Sequence, residues 1–346
     1  MNTHVEIRGE DFWIDGSPTY AGRVWHGRRI EGLLLNARMV QATFDDLNPE
    51  TRGRWAYPDT QAWDPERNIR EFCEAVPSYR CFGLLGVTVN LQGGSPEGYS
   101  RDQPWENSAF DGSGAFRLAY ADRVRRAIEA ADACGMVVIV GYFYQGQDER
   151  LADESAVLRA VDEATAFLLQ GGWRNVLVEI NNECNTRYEH PILQPPRVHE
   201  LIQRVQERGN GRLLVSTSYG GRGRIPDESV AQVADFILLH GNGTADPDLI
   251  ADQVQRTRSM SSYRGQPIVF NEDDHFDFDA PWNNCLAAID SHASWGYFDP
   301  GAGAGGTAAR GDYEQGFQLP PVNWTINTAR KRAFFDLVHQ ITQPAP

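Results

Sequence analysis

"VLVEINNECN", residues 176–185, decides how this chain is read. Val176, Leu177, Val178 and Ile180 make a short apolar run rich in β-branched residues, as in a parallel strand covered on both faces. Such a strand is expected to pass into turn residues. Here it passes into Asn181, Asn182 and Glu183, with Glu179 just before them. Side chains alternate along a strand, so Glu179, Asn181 and Glu183 are expected to point one way, and Asn182 the other or into the turn. Two readings are open. One is a polar strand end facing water; the other is a general acid or base at the mouth of an α/β fold.

Similar apolar runs recur on both sides of this one. Strands are expected at 32–38, 83–90, 136–143, 176–181, 212–218, 235–240, 267–271 and 293–298. Helical stripes lie between them: Ala121, Val124, Ile128 and Ala131 before Gly135, and Val157, Val161, Ala164 and Leu168 before Gly171-Gly172. A third stripe is Val198, Leu201, Ile202 and Val205, with Pro196 near its start and Gly209 at its end. A last helix is expected over 327–341, with Ala333, Phe334, Leu337 and Val338 inward. Eight strand-then-helix units predict an α/β fold, a (β/α)8 TIM barrel, ahead of a doubly wound sheet. No linker divides the chain, so one catalytic domain is expected over 1–346, opened by an N-terminal hairpin in 1–20.

The chain has 346 residues and a formal charge of −15, which argues against nucleic acid and anionic membrane surfaces as partners. No apolar run approaches the ~20 residues that span a bilayer. The opening residues lack a basic and then apolar leader, and the five cysteines (73, 81, 134, 184, 285) lack a CxxC pair. A cytoplasmic protein with buried thiols is the expectation. "GAGAGG" (301–306) has no following Gly-Lys-Ser/Thr, so it reads as loop rather than phosphate cradle, and no cofactor is expected.

In a barrel the catalytic groups sit at the C-terminal ends of strands. The seventh expected strand runs into Asn271 and Glu272, as the fourth runs into Asn182 and Glu183. Strands four and seven lie nearly opposite across an eight-stranded ring, so the two carboxylates would face each other. Glycosidic bond cleavage needs such a pair, one carboxyl to protonate the leaving group and one to attack the anomeric carbon. Here the chain resembles the clan A glycoside hydrolases, the cellulase-like TIM-barrel retaining glycosidases. "VEINNE" (178–183) follows their apolar-Glu-Ile-x-Asn-Glu pattern at Glu179, Ile180, Asn182 and Glu183. The resemblance implies Glu183 as acid/base, Asn182 as ligand of the sugar 2-hydroxyl, and Glu272 as nucleophile. "FWIDGSPTY" also resembles the entry to many such barrels, and Trp295 stands where the clan often places an aromatic on strand eight. Three positions depart from the pattern. Cys184 follows the acid/base in place of Pro, Asn242 stands where a Tyr often supports the nucleophile, and strand two ends without an Arg. Arg38, at the end of strand one, is the candidate replacement for that Arg.

Other residues at strand ends complete the expected carbohydrate site. His240 is a sugar or nucleophile ligand, or a strand-end histidine bonded to backbone. Asn90 and Gln92 offer amides for hydroxyl recognition, or cap their loop. Tyr144 and Tyr188 belong to a set of loop aromatics, with Trp25, Trp63, Trp105, Trp282 and Trp324, that as a group favour a carbohydrate cleft. The segment 299–324 carries Tyr313, Phe317 and Trp324 and is expected to border the cleft and limit its length. Retaining hydrolysis of short neutral oligosaccharides or glycosides is therefore the leading expectation. A metal-dependent sugar isomerase, epimerase or hydrolase is the main alternative, with Asp273, Asp274 and His275 beside Glu272 and His240 as ligands. A non-catalytic glycan-binding barrel is the second, and Cys184 as a nucleophile has no histidine visibly placed to activate it.

Overall fold

The computed structural model describes residues 3–97, 102–301 and 313–343, and the chain folds as a closed (β/α)8 barrel. Its strands are β1 (Asn36–Arg38), β2 (Gly86–Asn90), β3 (Val137–Phe143) and β4 (Val176–Asn181), then β5 (Leu214–Ser216), β6 (Ile237–His240), β7 (Ile268–Glu272) and β8 (Gly296–Tyr297). The helix after each is, in turn, α1 (Pro65–Cys81), α2 (Leu118–Ala133), α3 (Glu154–Gly171) and α4 (Val198–Gly209), then α5 (Glu228–Val233), α6 (Pro247–Arg258), α7 (Asn284–Asp290) and α8 (Ala329–Thr342). Six strands pair in parallel in the order β5-β4-β3-β2-β1-β8, and β6 pairs with β7. Two short seams close the ring. Ser294 accepts from the Phe270 N–H (2.8 Å) and donates to Ile268 (2.9 Å), joining β7 to β8. Asp235 donates its N–H to Val215 (2.9 Å) while its carboxylate accepts the Val215 N–H (2.8 Å), joining β6 to β5.

Helix ends follow local chemistry. Asp64 caps α1 by accepting from the N–H groups of Glu66 and Arg67, with Pro65 as the first helical residue. Gly172 ends α3 in a left-handed conformation (φ 68) that glycine adopts without steric cost. The stripes on α2, α3 and α4 are buried against the strands, and on α8 Phe334, Leu337 and Val338 are buried while Ala333 is half-buried.

The N-terminal hairpin, Val5–Arg8 paired antiparallel with Asp11–Ile14, closes the bottom of the barrel. Its Phe12 is wholly buried and meets Phe236 edge-on at 6.3 Å. Leu34, Val137, Ile139, Leu177, Leu238 and Val269 join Phe12 in one apolar floor inside the strands. The open end of the barrel is therefore the opposite, C-terminal one.

Several strands are shorter than expected, β5 among them at Leu214–Ser216 rather than 212–218. β1 begins at Asn36 rather than Gly32, and β8 holds two residues, because each extends only where its neighbour offers a ladder (Gly296 opposite Asn36, Tyr297 opposite Ala37). Residues 302–312, which include most of "GAGAGG", lie outside the described residues. The cysteines differ from expectation too: Cys184 and Cys285 are buried, but Cys73 and Cys134 are half-buried and Cys81 is exposed at the end of α1. No helix among the described residues is long and apolar enough to cross a membrane.

Candidate active site

Two residues above the floor, the inward positions turn polar. Glu179 follows Leu177, His240 follows Leu238, and Asn271 follows Val269; all three are wholly buried. Glu272 ends β7 and Glu183 comes just after β4, so both carboxylates stand at the C-terminal mouth. A register shift between Leu239 and His240 sets His240 opposite Glu272, the way a bulge re-aims a strand-end side chain. Glu183 has φ 52, a left-handed backbone that costs an ordinary residue about 1–2 kcal/mol. Glu183, His240 and Glu272 each offer an atom to one space, those atoms lying within 4.8 Å of one another. His240 Nδ1 lies 3.0 Å from Glu183 Oε1 and 3.9 Å from Glu272 Oε2.

Arg38, buried at the end of β1, ties this group together. Its Nε donates to Glu272 Oε2 (2.7 Å), its Nη1 to Glu179 Oε2 (3.2 Å), and its Nη2 to Asn182 Oδ1 (2.6 Å). Asn242 donates from Nδ2 to the other Glu272 oxygen at 2.6 Å. Both oxygens of Glu272 thus hold strong donors, which favour an ionised carboxylate. Glu183 takes His240 and the backbone N–H of Gly221. A Cβ on Gly221 would stand 2.1 Å from the Asn242 carbonyl oxygen, so only glycine lets this loop reach Glu183.

Burial and neighbours set the protonation of the centre. Burial pushes the Glu272 carboxyl above the ordinary range, against the pull of Arg38 and His240. At Glu183, burial is outweighed by the hydrogen bond from His240 and the charges of His240 and Arg38, which hold its carboxyl down. His240 loses something to burial, yet Glu272 and Glu183 together raise its pKa. These directions favour a protonated His240, with Nδ1 facing Glu183 at 3.0 Å. Burial also raises the Tyr144 phenol, and the charges of Glu272 and Glu183 push the same way, so the ring carries a neutral hydroxyl.

Several expectations need correction. Asn181 does not share a face with Glu179: it donates to the Leu193 carbonyl (2.8 Å) and accepts from Thr217 (2.6 Å), while Asn182 joins Glu179 on Arg38. The ladder ends at Asn181, and past its end the pleat no longer dictates direction. Trp295 does not face the cleft. A Cβ on Gly296 would stand 2.0 Å from Asn36 Oδ1, so Gly296 faces the bore and Trp295 turns outward, 6.3 Å from Phe334 of α8, with its N–H on Asp273 (2.9 Å). Gln92 spends its amide on Ser108 (3.2 Å) and the Gln147 carbonyl (3.1 Å), bracing its loop. Tyr188 donates to the Asn182 carbonyl at 2.6 Å and is buried. Asn90 is wholly buried in the bore. Among the loop aromatics, Trp63 and Trp105 pack in a satellite cluster with Phe44, Trp55 and Tyr57. Trp324 is buried between Phe72 and Phe317, and Trp25 and Trp282 are half-buried against the main core. Tyr144 is the member of that set whose phenol feels the charges of both carboxylates. Glu179 and Gly221 were not foreseen as members of the centre; the even spacing of Glu179 from bore-facing Leu177 was the available sign.

The segment after β8 reaches this region through its described part. Gln318 Nε2 donates to the Ser95 carbonyl (2.5 Å), and the Ser95 N–H in turn donates to the Tyr144 hydroxyl. Asp273, one of the expected metal ligands, has its oxygens engaged by Trp295 (2.9 Å), Asn284 (2.9 Å) and His275 (2.6 Å). Glu183, His240 and Glu272 could converge on a cation, but the Arg38 guanidinium 2.7 Å from Glu272 opposes one there.

Among solved structures, the chain is similar to an endo-1,4-beta-mannanase from Rhizomucor miehei, at 12% identity, 98% of each chain covered and a TM-score of 0.57. It is similar to a glycoside hydrolase family 5 mannosidase from the same organism (13% identity, 98% of each chain, TM-score 0.53). It is also similar to a glycoside hydrolase family 5 protein from Bacteroides vulgatus ATCC 8482 (14% identity, 93% of this chain and 67% of that one, TM-score 0.57). At these identities the likeness is one of fold. No family model matches the chain, and no curated protein matches it.

Proposed function

We propose that this chain is a retaining glycoside hydrolase that acts on short neutral glycosides. The observation that carries the reading is the facing pair of Glu183 and Glu272, with oxygens within 4.8 Å across the mouth of the barrel. Retaining pairs are about 5–5.5 Å apart, whereas inverting pairs leave about 6.5–9.5 Å for a water between them. Arg38 and Asn242 hold Glu272 as the ionised nucleophile. In the first step a Glu272 oxygen bonds to the anomeric carbon as the bond to the leaving oxygen breaks. The leaving oxygen takes a proton from Glu183, which His240 supplies across the 3.0 Å hydrogen bond. In the second step water attacks that carbon, Glu183 accepts the water's proton and returns it to His240, and Glu272 is released. Asn182, fixed by Arg38, and Tyr144 offer polar groups to the sugar hydroxyls.

The segment after β8, held to Ser95 by Gln318, supports a short cleft and hence exo-action. The names of the similar structures make β-mannosides the first substrates to screen. A cytoplasmic place suits short substrates and five free thiols. The test is an aryl-glycoside screen of the wild type and two variants, with the anomer of the first product read by NMR. Glu272→Ala is expected to lose about 10⁴-fold or more, and Glu183→Ala to be partly rescued by azide on substrates with good leaving groups. A first product of inverted configuration would sink the retaining mechanism. Turnover of long polymers alone would refute the short-substrate claim.

A further inference from the structure

Three carboxylates, not two, are built into this centre. Glu179 is wholly buried; one oxygen takes Arg38 Nη1 at 3.2 Å, and the other has no hydrogen-bond partner among the described residues. Burying a carboxylate is unfavourable unless its charge is used, and the inward positions just below, Leu177 and Ile139, are apolar. A residue serving only the packing of the bore would resemble those. Arg38 is the single guanidinium among the three, and it divides its N–H groups between Glu272, Glu179 and Asn182. Guanidinium and carboxylate prefer a two-bonded fork when nothing else competes. With Glu179 in place, Arg38 gives Glu272 only its Nε.

We propose that Glu179 is a positioning residue that, through Arg38 and its own negative charge, keeps Glu272 singly paired and keeps a proton on His240 for the leaving group. The inference rests on the glycosidase reading for its kinetic consequence but not for its physical one. His240 is faced by Glu183 just past β4 (3.0 Å), by Glu272 of β7 (3.9 Å) and by the charge of Arg38 of β1, and Arg38 in turn carries Glu179. Asp273, beside Gly241, has its oxygens committed to Trp295, Asn284 and His275, so it is a constant background. Removing the Glu179 charge leaves two carboxylates against one guanidinium, and the imidazolium loses part of its support.

The experiment is Glu179→Gln, which keeps size and hydrogen-bonding shape. The ¹⁵N titration of the His240 ring is followed in the substrate-free protein, and the pH dependence of kcat/KM is followed beside it. The His240 midpoint is expected to fall by about one pH unit, and both limbs of the rate profile to move to lower pH. Asn90 supplies a control, because a Cβ on Gly141 would lie 2.2 Å from Asn90 Oδ1 and 3.5 Å from Glu179 Oε2, making the two side chains neighbours. Asn90→Asp combined with Glu179→Gln returns a carboxylate to that space and is expected to bring the midpoint back; it also covers a single variant that folds poorly. An unmoved His240 midpoint with lower kcat would show that Glu179 is a structural support and overturn the proposal. A wild type inactive on every glycoside, with the midpoint still falling, would refute the glycosidase reading and leave the role of Glu179 standing.

Discussion

The floor and the mouth of this barrel are two or three residues apart along the same strands, yet they follow opposite chemistry. At the floor, Leu177, Leu238, Val269 and Phe12 exclude water and need only shape. At the mouth, Glu179, His240 and Glu272 are as deeply placed but need one another's charges. The difference teaches where stability and activity reside: an apolar floor tolerates no loss of volume, and a polar mouth tolerates no loss of partner. A buried charge left alone costs several kcal/mol, so the mouth is held by Arg38 as much as the floor is held by packing.

Among variants that compare the two regions, the largest expected effect separates them directly. Arg38→Lys keeps the charge but loses the planar guanidinium that reaches Glu272, Glu179 and Asn182 at once, so kcat should fall about 10²–10³-fold. Phe12→Ala at the floor should cost about 3–5 kcal/mol of stability in a denaturant titration, with kcat unchanged below the unfolding transition. If Phe12→Ala cut kcat as deeply as Arg38→Lys, the division between floor and mouth would be lost.

A smaller effect concerns protons at the mouth. The proposed mechanism needs Glu272 ionised, and burial raises its pKa, so rate is expected to be lost as pH falls through a point above the ordinary value of about 4.3. Activity also needs the proton on the His240–Glu183 pair. Its neighbouring carboxylates raise the His240 pKa, so that proton is lost as pH rises through a point above about 6.5. A bell-shaped kcat/KM profile lying between those limbs is the expected outcome. His240→Gln should remove the alkaline limb as placed; an unchanged limb would take the proton store away from His240.

Much of this could be read from residue order alone, for reasons that differ by element. β4 was legible to its ends because Val176, Leu177, Val178 and Ile180 are covered on both sides, which the composition records. Glu183, Glu272, His240, Asn242 and Arg38 were legible because barrel topology puts the ends of strands in one place. β8 was not legible. Two residues carry no periodicity, and its register is fixed by Asn36, far away in the chain, so Trp295 was assigned the wrong face. Glu179 was visible as a charge in a strand, but its role depends on Arg38, 141 positions earlier. The bulge that sets His240 opposite Glu272 likewise belongs to the pairing of β6 with β7 and leaves no local mark.

The smallest expected effects test inside against outside at the mouth itself, by taking one polar group from each of two aromatic rings. Tyr144→Phe removes a hydroxyl that stands near both carboxylates and accepts the Ser95 N–H. Losing one such hydrogen bond to substrate is worth about 0.5–1.5 kcal/mol, so KM should rise roughly 2- to 12-fold with stability little changed. Trp295→Phe removes an N–H that lies 2.9 Å from buried Asp273, outside the bore. That loss should cost about 1–3 kcal/mol of stability and leave KM where it was, because no sugar reaches the outer face of β8. The crossed pattern, KM for one ring and stability for the other, is what the register of Gly296 demands. A raised KM in Trp295→Phe with full stability would turn β8 around, bring its tryptophan into the cleft, and move the boundary between mouth and scaffold.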